Sequence, residues 1–331
     1  MKKVLITGGA GFIGFHLARL LLSVSGYKVD LLDNFHRGKN DNEFSNLLRN
    51  KDVRLIERDM LTDGWFKDLD SDYDVIYHFA AIIGVLHVQN KPFDVLKNNT
   101  LMLLSVLDLC RLQKALRCLV YTSTSEVYAG TLKYFSLPLP TPETTPLAVT
   151  DLNLPRTSYM LSKIYGEALC HHSKVPFIIV RPHNFYGPRM GMSHVIPELL
   201  HRTYLSPIPG QLTVFSLDHK RTFCYIDDAI RMIHSVSENE KCYGTVFNIG
   251  NQTPEISMEV LARVILKTVG KELEIVAGET SPGSPVRRCP DIEKIIRMTG
   301  TTPQISLEEG IRRTYDWYKE VVFEGKEVSA K

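Results

Sequence analysis

The chain has 331 residues, 44% of them hydrophobic and 23% charged, with 39 Lys and Arg against 37 Asp and Glu. A formal net charge of +2 excludes any broad attraction to nucleic acid or to a membrane surface, and no apolar run reaches the roughly 18 residues of a spanning helix. The six cysteines (110, 118, 170, 224, 242, 289) are scattered with no CxxC pair, so the expectation is reduced thiols, a cytoplasmic setting and no metal site.

The N-terminus runs directly into an apolar strand, Val4-Leu5-Ile6, and no leader is expected before it. Glycines at 8, 11 and 14 follow, and Phe15 to Leu22 reads as a helix. Gly8 permits a tight turn, Gly11 lets backbone approach a pyrophosphate, and Gly14 lets helix and strand pack closely. The amides at the helix start, with the positive end of its dipole, suit phosphate. A second strand, Lys28 to Asp33, completes a βαβ unit. Asp33 lies about 20 residues on, where a carboxylate accepts from adenosine ribose hydroxyls and repels a 2′-phosphate. This favours NAD, while Arg37 just behind it keeps NADP open.

Further strands are expected at Val53–Glu57, Asp74–Ala81, Cys118–Ser123 and Val175–Val180, with helices at Asn98–Leu112 and Ser158–His171. Asp59 at a strand's carboxyl end is placed to meet an adenine amino group. Ala80 and Ala81 are small enough to admit a cofactor backbone, and His78 reads as a packed strand residue. Leu132 to Pro155, rich in Pro and Thr, reads as a loop over the site. Past Pro182 the alternation weakens, so residues 1–182 are expected to form a nucleotide-binding domain and 183–331 a smaller, mixed substrate lobe. Tyr225 to Ala229 and Phe247 to Gly250 look like returns to the first unit, within 222–250. The fold expected is α/β, a doubly wound parallel Rossmann sheet.

Tyr159 and Lys163 are four residues apart on a predicted helix and therefore share a face. A free tyrosine, with pKa about 10, is a poor base at neutral pH. A nearby ammonium favours the phenolate, which can take a proton from a sugar hydroxyl while hydride leaves the same carbon. Thr124, at a strand end, can hold that hydroxyl.

These motifs together resemble the extended short-chain dehydrogenases/reductases that modify nucleotide sugars. They are Thr7-Gly8-Gly9-Ala10-Gly11-Phe12-Ile13-Gly14, Asp33-Asn34, His78-Phe79-Ala80-Ala81, Thr124-Ser125-Glu126-Val127-Tyr128, Tyr159 with Lys163, and Arg181-Pro182-His183-Asn184-Phe185-Tyr186-Gly187-Pro188. The resemblance implies tightly held NAD, a transient 4-keto sugar, return of the hydride within one turnover, and a homodimer built on the helices beginning near Asn98 and Ser158. It implies catalytic roles for Thr124, Tyr159, Lys163 and Glu126. It assigns cofactor contacts to Gly8, Gly11, Phe12, Ile13, Gly14, Asp33, Asn34, Asp59, Met60, Phe79, Ala80, Ala81 and Asn99 together with Tyr159 and Lys163. Substrate contacts fall on Gly84, Thr124, Ser125, Asn184, Val195, Arg221 and Arg288.

Once C4 is a ketone, three outcomes are open: 4-epimerisation, loss of CO2 from a C5 carboxylate, and 4,6-dehydration. Glu126 resembles the glutamate of decarboxylases and some dehydratases, but Ser125 stands where many dehydratases carry Asp. Arg287-Arg288-Cys289-Pro290-Asp291-Ile292 is similar to decarboxylases. The segment from Ala80 to Pro92 is closer in length to epimerases, which puts 4-epimerisation of a UDP-linked sugar first, decarboxylation of UDP-glucuronate second and dehydration third. His87 and His194 read equally well as sugar contacts or as loop residues. A non-catalytic NAD(P)-binding regulator is a separate class, and it predicts a damaged catalytic set; here Thr124, Tyr159 and Lys163 are all present.

Overall fold

The computed structural model describes residues 1–135, 139–280 and 285–325. Strand β1 (Lys2–Thr7) passes through the glycine turn into α1 (Phe12–Ser23), and β2 (Tyr27–Asp33) returns parallel to it. Helix α2 (Asn42–Leu48) is capped by Asp41, which accepts from Phe44 N, and leads to β3 (Val53–Glu57). Then come β4 (Val75–His78), α3 (Val85–Asn90), α4 (Pro92–Leu112) and β5 (Cys118–Thr122). A 3-10 turn at Ser125–Tyr128 precedes α5 (Ala129–Tyr134), α6 (Pro155–His172) and β6 (Phe177–Pro182).

Seven strands form one parallel sheet. From β1 it extends one way through β2 to β3 and the other way through β4, β5 and β6. The seventh strand, at the β6 edge, comes from Thr245–Ile249, where Phe247 pairs with Val180. The order reverses between β1 and β4, so ligands belong in the crevice at the carboxyl ends there. Alternation along each strand sorts the two faces. Val4, Ile6, Val75, Tyr77, Val120, Ile178 and Val180 enter one core, and Leu5, Ile76, Leu119 and Ile179 the other. Each such fully buried side chain contributes about 1.5–3 kcal/mol, which fixes the register and with it the strand ends that carry the site.

After β6 the chain builds smaller pieces: β7 (Phe185–Tyr186), α7 (Val195–Leu205), β8 (Gln211–Val214), β9 (Lys220–Arg221) and β10 (Cys224–Tyr225). Helix α8 (Ile226–Ser237) then packs on α1, and β11 (Thr245–Ile249) is the seventh sheet strand. The remainder is β12 (Ile256–Ser257), α9 (Met258–Val269), β13 (Glu274–Ala277), β14 (Arg287–Arg288), α10 (Glu293–Thr299) and α11 (Leu307–Tyr318). Strand β9 sits between β12 and β14, which brings Arg221 beside Arg288 in register.

Both long helices start earlier than periodicity alone suggested. Pro92 and Pro155 occupy their first turns, where a missing N–H costs nothing and φ is already helical. The loop expected from Leu132 begins inside α5, and residues 136–138 of it lie outside the described residues.

Candidate active site

The turn after β1 is built for a close approach. Gly8 has φ of +72°, and a Cβ there would stand 2.8 Å from Ala80 N, so the turn abuts the end of β4. A Cβ at Gly14 would collide with Gly8 O. Gly11 meets only Gly8 O within 4 Å, which leaves its other side open. It is the N-cap of α1 and supplies no side-chain cap, and the first turn holds no acidic residue. The amides of Phe12, Ile13 and Gly14 therefore open onto the crevice.

Asp33 is 8% exposed. Its carboxylate accepts from Ala10 N at 3.0 Å and Phe35 N at 2.8 Å, which aims it while leaving acceptor capacity for hydroxyls. Burial raises its pKa, and these amides oppose the rise. Exposed Asn34 and Asp59 each accept from an amide two residues on, at 3.0 and 2.8 Å, and Met60 is buried below. Asn99 grips the loop after β4, accepting from Ile82 N at 2.8 Å and donating to Ile82 O at 3.1 Å and Ser162 Oγ at 3.3 Å. This sets the path of Phe79, Ala80, Ala81 and exposed Gly84. His78 is buried as expected. Its Nδ1 pairs with Thr7 Oγ1 at 2.8 Å, and burial pushes it down to about 3. Arg37 donates to Ile83 O at 3.3 Å, so its guanidinium turns toward the loop after β4. An open glycine cradle, uncapped amides and a poised carboxylate fit a dinucleotide.

Helix α6 presents Tyr159 and Lys163 to the end of β5. Thr124 is the hydroxyl neighbour that lowers the Tyr159 phenol. Thr124 also caps the 3-10 turn, accepting from Glu126 N at 3.2 Å. Lys163 is 3% exposed and donates to Thr122 O at 2.8 Å, and its Nζ lies 5.9 Å from the Tyr159 ring centroid. Burial pushes the ammonium down to about 8. Burial also raises the Tyr159 phenol, the Thr124 hydrogen bond lowers it, and the charges acting on it are Glu126, raising, and Arg37, lowering. The ammonium is anchored to the strand end by the Thr122 carbonyl.

Opposite this pair, Arg288 on β14 reaches the 3-10 turn. It donates to Glu126 Oε1 at 2.8 Å and Ser125 Oγ at 3.4 Å. Arg156, one turn before Tyr159 on α6, donates to the same carboxylate at 3.3 Å. Burial alone would raise Glu126, but the Arg288 and Arg156 guanidinia hold it at about 2. It is therefore ionised at neutral pH and serves as an acceptor.

A cavity of about 260 Å³ opens beside this cluster, lined by Asn184, Val195, Leu199, Phe215, His219 and Arg221 among others. Asn184 has φ of +42° and donates to Thr222 O at 2.9 Å. Arg221 donates to Pro285 O at 2.6 Å; burial and then the neighbouring Arg288 push it down to about 10. Sequence reasoning placed Asn184, Val195 and Arg221 here but missed Arg156, Phe215 and His219. Arg156 had a signal, since it lies three residues before Tyr159 on one helix face. Phe215 and His219 sit on short irregular segments with no period to read.

Residues 4–250 match the family model described as the NAD dependent epimerase/dehydratase family. The chain belongs to that family. It is 30% identical to the UDP-N-acetyl-alpha-D-glucosaminuronate decarboxylase of Bacillus cytotoxicus, over 97% of this chain and 98% of that one. It is 30% identical to UDP-glucuronic acid decarboxylase 1 of Xenopus tropicalis, over 96% of this chain and 72% of that one. Among solved structures it is similar to the UDP-glucuronic acid 4-epimerase of Bacillus cereus with UDP-glucuronic acid and NAD, at 30% identity and TM-score 0.79, covering 96% and 99% of the two chains. Family members of this kind are NAD-dependent enzymes acting on nucleotide sugars, and NAD is the cofactor that fits the cleft described above. Among the described residues no helix is long and apolar enough to cross a membrane, and no cluster of His, Cys, Asp and Glu is arranged to hold a metal ion.

Proposed function

We propose that the enzyme oxidises C4 of a UDP-linked hexuronate and decarboxylates the resulting 4-keto acid to a UDP-pentose. The observation that carries this reading is the ionised Glu126 held by Arg288 at the mouth of the Tyr159–Thr124 pair. The relatives named above that act on UDP-hexuronates support it. Elimination of water needs an acid for the leaving hydroxyl, and Ser125 cannot supply one. Decarboxylation needs no such acid, because CO2 leaves as a neutral molecule. Loop length after β4 placed epimerisation first; the Glu126–Arg288 pair and the decarboxylase relatives support putting decarboxylation ahead of it.

Gly8, Gly11, Phe12, Ile13, Gly14, Asp33 and the loop held by Asn99 would hold NAD, which supplies the hydride acceptor at C4 and gives the hydride back. Tyr159 takes the C4 hydroxyl proton while Thr124 orients that hydroxyl, and Lys163 stabilises the phenolate. Arg221 and Asn184 receive the diphosphate; Arg is the natural phosphate partner because its planar fork is always charged. Phe215 and Leu199 flank the base. Arg288 receives the sugar carboxylate, and Glu126 keeps that cation partly neutralised so that the carboxylate is held loosely. The C5–C6 bond breaks, its electron pair flows into the C4 carbonyl, CO2 departs, and C5 of the resulting enolate takes a proton from solvent water. Reduction of the ketone at C4 takes its proton back from Tyr159.

The decisive experiment is proton NMR of the enzyme with UDP-glucuronate and no added reductant. A pentose product with CO2 release is expected. UDP-galacturonate would overturn the reading in favour of 4-epimerisation, the activity of the similar Bacillus cereus enzyme. No conversion would remove glucuronate and move the search to other UDP-hexuronates.

We also propose that residues 1–182, with the returning 222–250, form the NAD unit and the rest the substrate lobe. Phe93, Leu101, Leu104 and Tyr165 on α4 and α6 are 72%, 45%, 40% and 49% exposed, and we assign this apolar face to a homodimer. Sedimentation should give a dimer for wild type and a monomer for Leu101→Glu with Leu104→Glu; a wild-type monomer would dismiss it. All six cysteines are free and buried, which accords with a cytoplasmic setting.

A further inference from the structure

A continuous buried polar chain links α6, the 3-10 turn and the segment after β14. It starts one turn beyond Lys163, where Glu167 accepts from Ser123 Oγ at 2.5 Å and from Arg181 through both oxygens, at 2.9 and 2.6 Å. Arg181 Nη1 donates to Tyr128 OH at 2.6 Å, and Tyr128 donates onward to Asn248 Oδ1 at 2.9 Å. Asn248 Nδ2 donates to Thr141 O and Asp291 O, both at 3.0 Å. All five side chains in this relay are at most 5% exposed.

The amide of Asn248 is used to capacity. Oδ1 accepts from Tyr128 and from His183 Nε2 at 3.1 Å, and both Nδ2 protons go to carbonyls. Two acceptor and two donor sites are all an amide has. Aspartate lacks the donors and leucine lacks both. The residue is therefore a four-way joint at a place where an unmade hydrogen bond is expensive. One arm, Tyr128, lies in the same 3-10 turn as Glu126. The opposite arm, Asp291, lies three residues after Arg288 on the segment that also bonds Thr141 through Cys289 O.

We propose that Asn248, acting through Tyr128, is a positioning residue that holds the Glu126 turn and the Arg288 strand at their working separation. Strand β14 is two residues long and, among the described residues, is paired with β9 alone. The Asn248–Thr141–Asp291 contacts brace the segment that follows it. This rests on the reading that Glu126 and Arg288 face the substrate. It predicts that the network sets the rate of the step those residues serve while leaving nucleotide affinity alone.

The test uses the NAD-bound enzyme carrying Asn248→Leu or Tyr128→Phe, the latter preserving the ring and the packing. Crystal structures with UDP should show the Glu126–Arg288 contact lengthened beyond hydrogen-bond reach in Asn248→Leu and lengthened less in Tyr128→Phe. With UDP-glucuronate, kcat should fall ~100-fold and ~10-fold respectively, the scale of a small misplacement, with KM within about 2-fold. Bound NAD per chain should be unchanged. A Glu126–Arg288 contact left at the wild-type distance in both variants overturns the proposal, as does a fall in UDP affinity that matches the fall in kcat. Should Asn248→Leu fail to fold, Tyr128→Phe decides alone. Wild type inert toward UDP-glucuronate would count against the proposed reaction, and the structures of the variants would still decide the positioning role.

Discussion

The site holds two charged poles, Lys163 and Glu126, and they are built in opposite ways. At one, Lys163 is a buried ammonium with a backbone carbonyl as its partner, and burial pulls it down to about 8. At the other, Glu126 is gripped by two guanidinia and held at about 2. The first pole keeps a cation where solvent would stabilise it better, and it is close to its titration point. The second holds a charge that does not change across the physiological range. Proton transfer at C4 needs a group that responds to its surroundings. On the proposed decarboxylation, the carboxylate that shapes the field around the departing CO2 must hold a charge that does not change.

Removing the proton acceptor should break the comparison most completely. Tyr159→Phe is expected to lower sugar turnover about 10³–10⁴-fold while the protein still purifies with NAD, measured by releasing and quantifying the dinucleotide. Normal turnover would dismiss the phenol as the base. Glu126→Gln should cost less, about 10²–10³-fold in pentose formation, and should divide the reaction. Oxidation at C4 continues, so reduced nicotinamide absorbance should build up with substrate present. Equal loss of both signals would place Glu126 in the first step.

The same contrast explains what the sequence revealed. The cofactor cleft was legible because its parts are local: three glycines in one turn, a carboxylate at the next strand end, and Tyr159 and Lys163 on one helix face. The doubly wound sheet was legible through apolar strand periodicity for six strands; Phe247 to Gly250 was read only as a return to the first unit, and the structure adds Thr245–Ile249 as the edge strand. The Glu126 pole is not local. Arg288 follows Glu126 by 162 positions and arrives through a two-residue strand with no period. Asn248 sits in an apolar run where an amide looks like an accident, and only the fold brings Tyr128, His183 and Asp291 to it.

The next effect is on stability. Lys163→Met should abolish turnover yet stabilise the protein at neutral pH. The ammonium falls from 10.5 unfolded to about 8 folded, so wild type carries a cost of about 3 kcal/mol at most, at 1.36 kcal/mol per unit. That cost is complete below pH 8, where the lysine is charged in both states. Between 8 and 10.5 the unfolded chain binds more protons, so wild-type stability rises with pH. Above 10.5 both states are neutral. Urea denaturation of the two proteins should therefore show a gap that is constant below pH 8 and closes by about 10.5. A gap that does not narrow would mean that the Met side chain stabilises by packing alone.

The smallest effect separates the two guanidinia that hold Glu126. The Arg288 side chain is 13% exposed and that of Arg156 is 55% exposed. Water screens the outer contact, so Arg156→Met should cost only about 0.2–1 kcal/mol and leave pentose formation within about 3-fold. Glu126 would rise from about 2 yet remain ionised at neutral pH because Arg288 stays. The sign is that of a depressed carboxylate. Its stabilisation is complete above its unfolded value of 4.5 and is lost as pH falls through the folded one. Arg156→Met should therefore unfold at a slightly higher pH on acid titration, with no change in the neutral baseline beyond that small cost. A loss of pentose formation as large as that expected for Glu126→Gln would mean that the exposed arginine touches substrate and is more than a screened partner of Glu126.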